Sequence, residues 1–64
     1  MRMISVTSSA IAAIGYESGT LGVQFHTSRK VYTFPSVPYG VFTDFLNAAS
    51  KGDFYHQNVR GRYS

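Results

Sequence analysis

Sixty-four residues make one domain at most, and a chain this short buries only about 60% of the surface its unfolded form exposes. Cysteine is absent, which excludes disulfide staples and thiolate zinc sites, so stability must come from the ten Phe and Tyr rings or from self-association, and a homo-oligomer is one expectation. Six Lys or Arg against three Asp or Glu give a formal charge of +3, which permits a phosphate-bearing partner, while a charged fraction of 14% excludes a disordered basic tail.

The chain begins with a short β-prone segment, Ile4 to Thr7, broken at Ser8-Ser9-Ala10. The apolar stretch before Thr7 is too short for a signal peptide, and no run approaches the roughly 18 residues of a membrane span. A cytoplasmic protein without a membrane partner is expected. Ile11 to Tyr16 places Ile14 and Tyr16 at strand spacing, with Gly15 marking a bulge or a close backbone approach. Glu17-Ser18-Gly19-Thr20 is turn chemistry, with Gly19 suited to positive φ. Leu21, Val23 and Phe25 then alternate with Gly22, Gln24 and His26, the clearest strand signal in the chain. After a loop at Thr27-Ser28-Arg29, Lys30 to Phe34 places Tyr32 and Phe34 on one face and Val31 and Thr33 on the other. Short loops between these strands predict an antiparallel meander.

Pro35 and Pro38 end the sheet, with Pro38 at the first position of a helix. Val41, Phe42, Phe45, Leu46 and Ala49 form one apolar stripe over about three turns, Gly52 is the expected stop, and Lys51 complements the C-terminal partial charge. Asp53 is the expected cap of a second, shorter helix that docks through Phe54, Tyr55 and Val59 and stops at Gly61. Strands first and helices last predict an α+β domain over 1–64: a three- to four-stranded antiparallel meander followed by two short helices on one face. The edge at which Ile4 to Thr7 pairs is left open.

Laid out this way, the chain resembles the KTSC family, a short domain found at the C-terminus of some lysyl-tRNA synthetases and as a stand-alone protein in bacteria and phages. The resemblance runs from Ser8 to Tyr63. It is carried by "SSAIAAIGY", "TLGVQF", "VYTFPSVP", "VFTDFLNAASKG" and "FYHQNVRGRYS". The family's central Tyr-x-Tyr stands here as Tyr32-Thr33-Phe34, which keeps a stacking ring but removes one hydroxyl. The synthetase context implies contact with RNA. Occurrence in phages implies a small oligomer that sequesters a nucleotide signal.

The residues themselves offer four chemistries. Single-stranded RNA binders combine cations along the backbone with aromatic platforms. Tyr32, Phe34 and Tyr63 are the candidate platforms, with Arg29, Lys30, Arg60 and Arg62 as phosphate contacts; the competing assignment puts Tyr32 and Phe34 in the core. A free nucleotide or phosphate can use the same cations with Ser8, Ser9 and Asn58 as neutral donors, against the alternatives that the serines only form a turn and Asn58 only anchors the tail. Metal-free RNA cleavage would need His26 and His56 as acid and base beside Arg60, against both being ordinary solvent-facing residues. Protein interaction through the open strand edges is the fourth. Of these, the residues favour a non-catalytic module for RNA or a nucleotide-like anion, centred on Arg60, Arg62, Lys30 and Arg29 and needing no cofactor.

Overall fold

The alternation that marks the first half of the chain produces four strands, and the computed structural model describes residues 1–63. Strands β1 (Met3–Ser5), β2 (Ile11–Glu17), β3 (Thr20–Phe25) and β4 (Val31–Phe34) form one antiparallel sheet in the order β1-β2-β3-β4. The first segment therefore pairs with β2 at one edge, Ile4 opposite Ile14. It is shorter than expected, because the Ser8 hydroxyl accepts from the amides of Ala10 and Ile11 and turns the chain into β2.

Strands β2 and β3 meet in a two-residue turn at Ser18 (φ 50°) and Gly19 (φ 82°), tighter than the four-residue loop the composition suggested. Two consecutive positive φ values match the right-handed twist of the strands they join. Gly15 serves close approach rather than a bulge: a Cβ there would meet Met3 Sδ at 2.6 Å and the Arg2 carbonyl at 2.7 Å. The register shift lies instead between Ile11 and Ala13.

Because side chains alternate along each strand, one sheet face gathers Ile14, Leu21, Val23 and Phe34, and the helices cover it. Helix α1 (Tyr39–Asn47) turns Phe42 and Phe45 onto that face, and Val37 and Val59 close the core around them. Pro38 is the residue before α1 rather than its first, and Ala48 turns extended, so Ala49 leaves the apolar stripe. Asn47 donates back to the Thr43 carbonyl at 2.9 Å, and the Lys51 ammonium donates to the Ala48 carbonyl at 3.1 Å, which supplies the expected positive charge just beyond the helix end.

Gly52 does not stop a helix; it lies inside α2 (Lys51–Phe54). Ser50, not Asp53, caps α2, its hydroxyl accepting from the Asp53 amide at 3.4 Å. The chain leaves α1 three residues before Ser50, so the cap falls earlier than the apolar pattern alone indicates. Asp53 occupies the first turn, where a carboxylate suits the partial positive charge. Helix α2 widens directly into a π-helical segment, Tyr55–Val59, closed by the Arg60 amide donating to the Tyr55 carbonyl at 2.9 Å, and Gly61 (φ 78°) follows its end. Phe54 stacks on Phe45 at 5.1 Å, and Tyr55 meets Phe25 and Phe34 edge-on, so the docking face expected of this segment forms.

Candidate functional site

The turn chemistry of Ser8-Ser9 and the restart of the chain at Ser50 bring two distant segments together. Thr7 to Ala10 and Ala49 to Asp53, with His56, line an open cleft of about 380 Å³. Gly52 faces Ala10 across this cleft: a Cβ built on it would stand 3.7 Å from the Ala10 Cβ, an ordinary contact distance. The cleft's lining residues include Ser8, Ser9, Lys51, His56 and one acidic residue, Asp53. Ser8 accepts two amides and keeps its own proton to donate; Lys51 spends one of three protons on Ala48. Ser8 is thus a turn residue and a cleft residue at once.

A second cleft of about 370 Å³ adjoins it, lined by Gln24 to Arg29 and by Ala12. The boundary is the contact of His26 with the first loop: its Nε2 lies 2.8 Å from the Ser8 carbonyl, and its amide donates to the Ala10 carbonyl at 3.1 Å. Ser28 shapes the second loop by accepting from the Lys30 amide at 3.1 Å, and Gln24 Nε2 donates to the Arg29 carbonyl at 3.1 Å. Lys30 Nζ sits 5.1 Å from the centroid of the Tyr32 ring, a cation–π contact on a ring that is 40% exposed. Ser8, Ser9, Arg29, Lys30 and Tyr32 therefore share one end of the molecule with Lys51, His26 and His56.

The remaining candidates part company with them. Phe34 is in the core at 6% exposure, so its ring cannot act as a stacking platform; the Leu21 opposite it and Tyr55 hold it there. Tyr63 packs against the core instead of standing free, after its amide turns back to the Val59 carbonyl at 3.1 Å. Asn58 is half-buried in the π-helical segment, and Arg60 and Arg62 are exposed beyond it; none of the three lines either polar cleft. The tail arginines cannot be the centre of a site built on Ser8 and Ser9.

Sequence patterning marks Lys51 only as a helix-end charge, and Tyr39 not at all. Tyr39 and Phe42 are separated by one helical turn, the spacing that signals a shared face. Tyr39 is 62% exposed and closes an aromatic group with Tyr16 and Phe42 at the other end of the sheet. Among the described residues no three His, Asp or Glu side chains are grouped to hold a metal, and no helix is long and apolar enough to cross a membrane.

Comparison with known proteins matches residues 7–63 to the KTSC domain family. The crystal structure of the KTSC domain protein YPO2434 from Yersinia pestis superposes with a TM-score of 0.89 at 31% identity, covering 98% of this chain and 90% of that one. Comparison with curated proteins returns no match.

Proposed function

The chain belongs to the KTSC domain family, and from its geometry we propose that it is a non-catalytic binding module for a nucleotide-like phosphate, free or within RNA. The observation that carries this reading is the polar cleft in which Ser8, Ser9, Lys51 and His56 meet, continued past His26 to Arg29. Hydroxyl donors with an ammonium and a guanidinium suit a phosphate. The open form of both clefts suits a ligand reached from one side, as a strand of RNA is. Tyr32, 40% exposed with the Lys30 ammonium 5.1 Å from its centroid, is the stacking ring three residues beyond Arg29.

Binding without cleavage is favoured by the placement of the acid–base candidates: His26 and His56 line different clefts, and Arg60 lines neither. Sequestration of a free nucleotide would need a second wall over the cleft, which another copy of the chain would supply.

The test is titration of a short single-stranded RNA, a mononucleotide and inorganic phosphate at low salt. Lys51→Gln and Arg29→Gln should each weaken phosphate-dependent binding about tenfold, the size of one charge-assisted hydrogen bond. No binding by any of the three removes the reading. RNA recovered shortened, with cutting lost in His56→Ala, would replace it with catalysis. A native mass of two or more chains holding nucleotide would favour sequestration.

A further inference from the structure

Far from the polar clefts, Arg2, Ile4, Tyr16, Tyr39 and Phe42 line a third cleft of about 400 Å³ between β1 and α1. From Ala10 at the polar end to Tyr16 at this one, β2 runs about 20 Å at the usual strand rise. The two places are therefore separate sites. Three rings make its wall: Tyr16 stacks on Phe42 at 5.4 Å and 24°, while Tyr39 meets Tyr16 edge-on at 5.4 Å and tilts against Phe42 at 5.7 Å. Tyr16 is held in place by its hydroxyl, which donates to the Val37 carbonyl at 2.5 Å.

Two features go beyond what packing needs. Tyr39 is the most exposed of the large apolar side chains, at 62%, although its ring neighbour Phe42 is buried. Arg2, at the cleft rim, is exposed and makes no ion pair among the described residues; the one carboxylate engaged near it, Glu17, is taken by the chain's amino group at 3.2 Å. An exposed ring beside an unpaired guanidinium offers a flat surface and a fixed positive charge within one small-ligand volume.

We propose that this aromatic cleft is a second binding site, which takes a planar base on Tyr39 with its attached phosphate on Arg2. The base lies against the Tyr39 ring, Ile4 bounds it on the sheet side, and Arg2 contacts the anion. The site deepens the reading of a nucleotide-binding module by supplying the base platform that the buried Phe34 and the docked Tyr63 cannot. A free nucleotide or one unit of an RNA strand offers the same chemistry.

The experiment is an NMR titration with adenosine 5′-monophosphate, adenosine, inorganic phosphate and a short adenosine oligonucleotide, following the rings of Tyr39 and Phe42 and the Ile4 methyls. The monophosphate should shift these signals and inorganic phosphate should not. Tyr39→Ala should weaken binding there roughly 5- to 150-fold, the range of one base–aromatic stack; Tyr39→Phe should retain it. Arg2→Gln should narrow the preference for the monophosphate over adenosine. Tyr39→Phe keeps the ring contacts with Tyr16 and Phe42, and the melting temperature of Tyr39→Ala reports any loss of packing apart from loss of binding. If only the oligonucleotide moves the signals, the occupant is a strand and the site stands. Silence of Tyr39, Phe42 and Ile4 with every base-bearing probe, or full binding by Tyr39→Ala, overturns it. Signals from Ser8 and Ser9 with inorganic phosphate report the polar cleft separately, so either site can fail while the other holds.

Discussion

His26 Nε2 lies 2.8 Å from the carbonyl oxygen of Ser8, eighteen residues earlier in the chain. This bond joins the loop after β3 to the loop before β2 and sets the two polar clefts side by side. The pair is exposed, so the bond matters more for loop position than for overall stability. His26→Ala should cost about 0.5–1.5 kcal/mol by thermal or urea unfolding. Amide exchange at Ala10 and Ile11 should accelerate, and phosphate binding should weaken. Unchanged exchange at these amides would show that Ser8 holds its loop alone.

Salt dependence reports how many cations meet phosphate. For a single strand the logarithm of affinity falls with the logarithm of salt concentration by about 0.7 per phosphate contact. Lys51→Gln and Arg29→Gln should each reduce that slope by about 0.7, whereas Arg60→Gln and Arg62→Gln, outside the polar clefts, should leave it unchanged. A slope that falls with the tail variants instead would move the site to the C-terminus.

The two-residue turn gives opposite responses at adjacent positions. Gly19 at φ 82° has open space where a Cβ would stand, so Gly19→Ala costs only backbone strain, about 1–2 kcal/mol. Ser18 at φ 50° already bears that conformation, and Asn tolerates it better, so Ser18→Asn should raise the melting temperature. Equal destabilisation by both changes would contradict this turn.

Core truncations should scale with the volume removed. Phe45 is fully buried and stacked on Phe54, so Phe45→Ala should cost about 3–5 kcal/mol, enough to unfold much of a small domain. Ile14→Val, at an equally buried place, should cost about 0.5–1.5 kcal/mol. Denaturant midpoints separate the two. Near-wild-type stability of Phe45→Ala would mean that α1 does not hold the sheet.

Tyr16→Phe deletes one hydroxyl and leaves the Val37 carbonyl without its donor. A loss of about 0.5–1.5 kcal/mol is expected, with the ring signals of Tyr39 and Phe42 broadened as their support loosens. Unchanged stability and sharp ring signals would show that packing alone fixes Tyr16.

The polar loops and strand periodicity made most of the fold legible in advance. Leu21, Val23 and Phe25 alternate, and β3 forms there; Phe42 and Phe45 keep helical spacing, and both are buried in the core. Gly19 and Gly61 take the positive φ that a turn and a helix end require. The caps were less legible, because Ser50 and Asp53 are both good capping residues and only the early end of α1 selects Ser50. The π-helical widening at Tyr55–Val59 leaves no mark in apolar spacing, since one wider turn shifts the pattern by a single residue.

Composition and periodicity alone thus determined the class of fold, the meander of β2 to β4 and the aromatic character of the core, because these follow from local alternation and from the area a ring can bury. Only the tertiary structure decided the edge that β1 takes and which polar residues act together. Ser8 and Lys51 are forty-three positions apart and meet only when α2 closes on the first loop. Phe34 and Tyr32 look alike along the strand, but the helices cover one and leave the other at the rim. Which side chains face a ligand depends on what packs over each strand, and that is a property of the whole chain rather than of any segment.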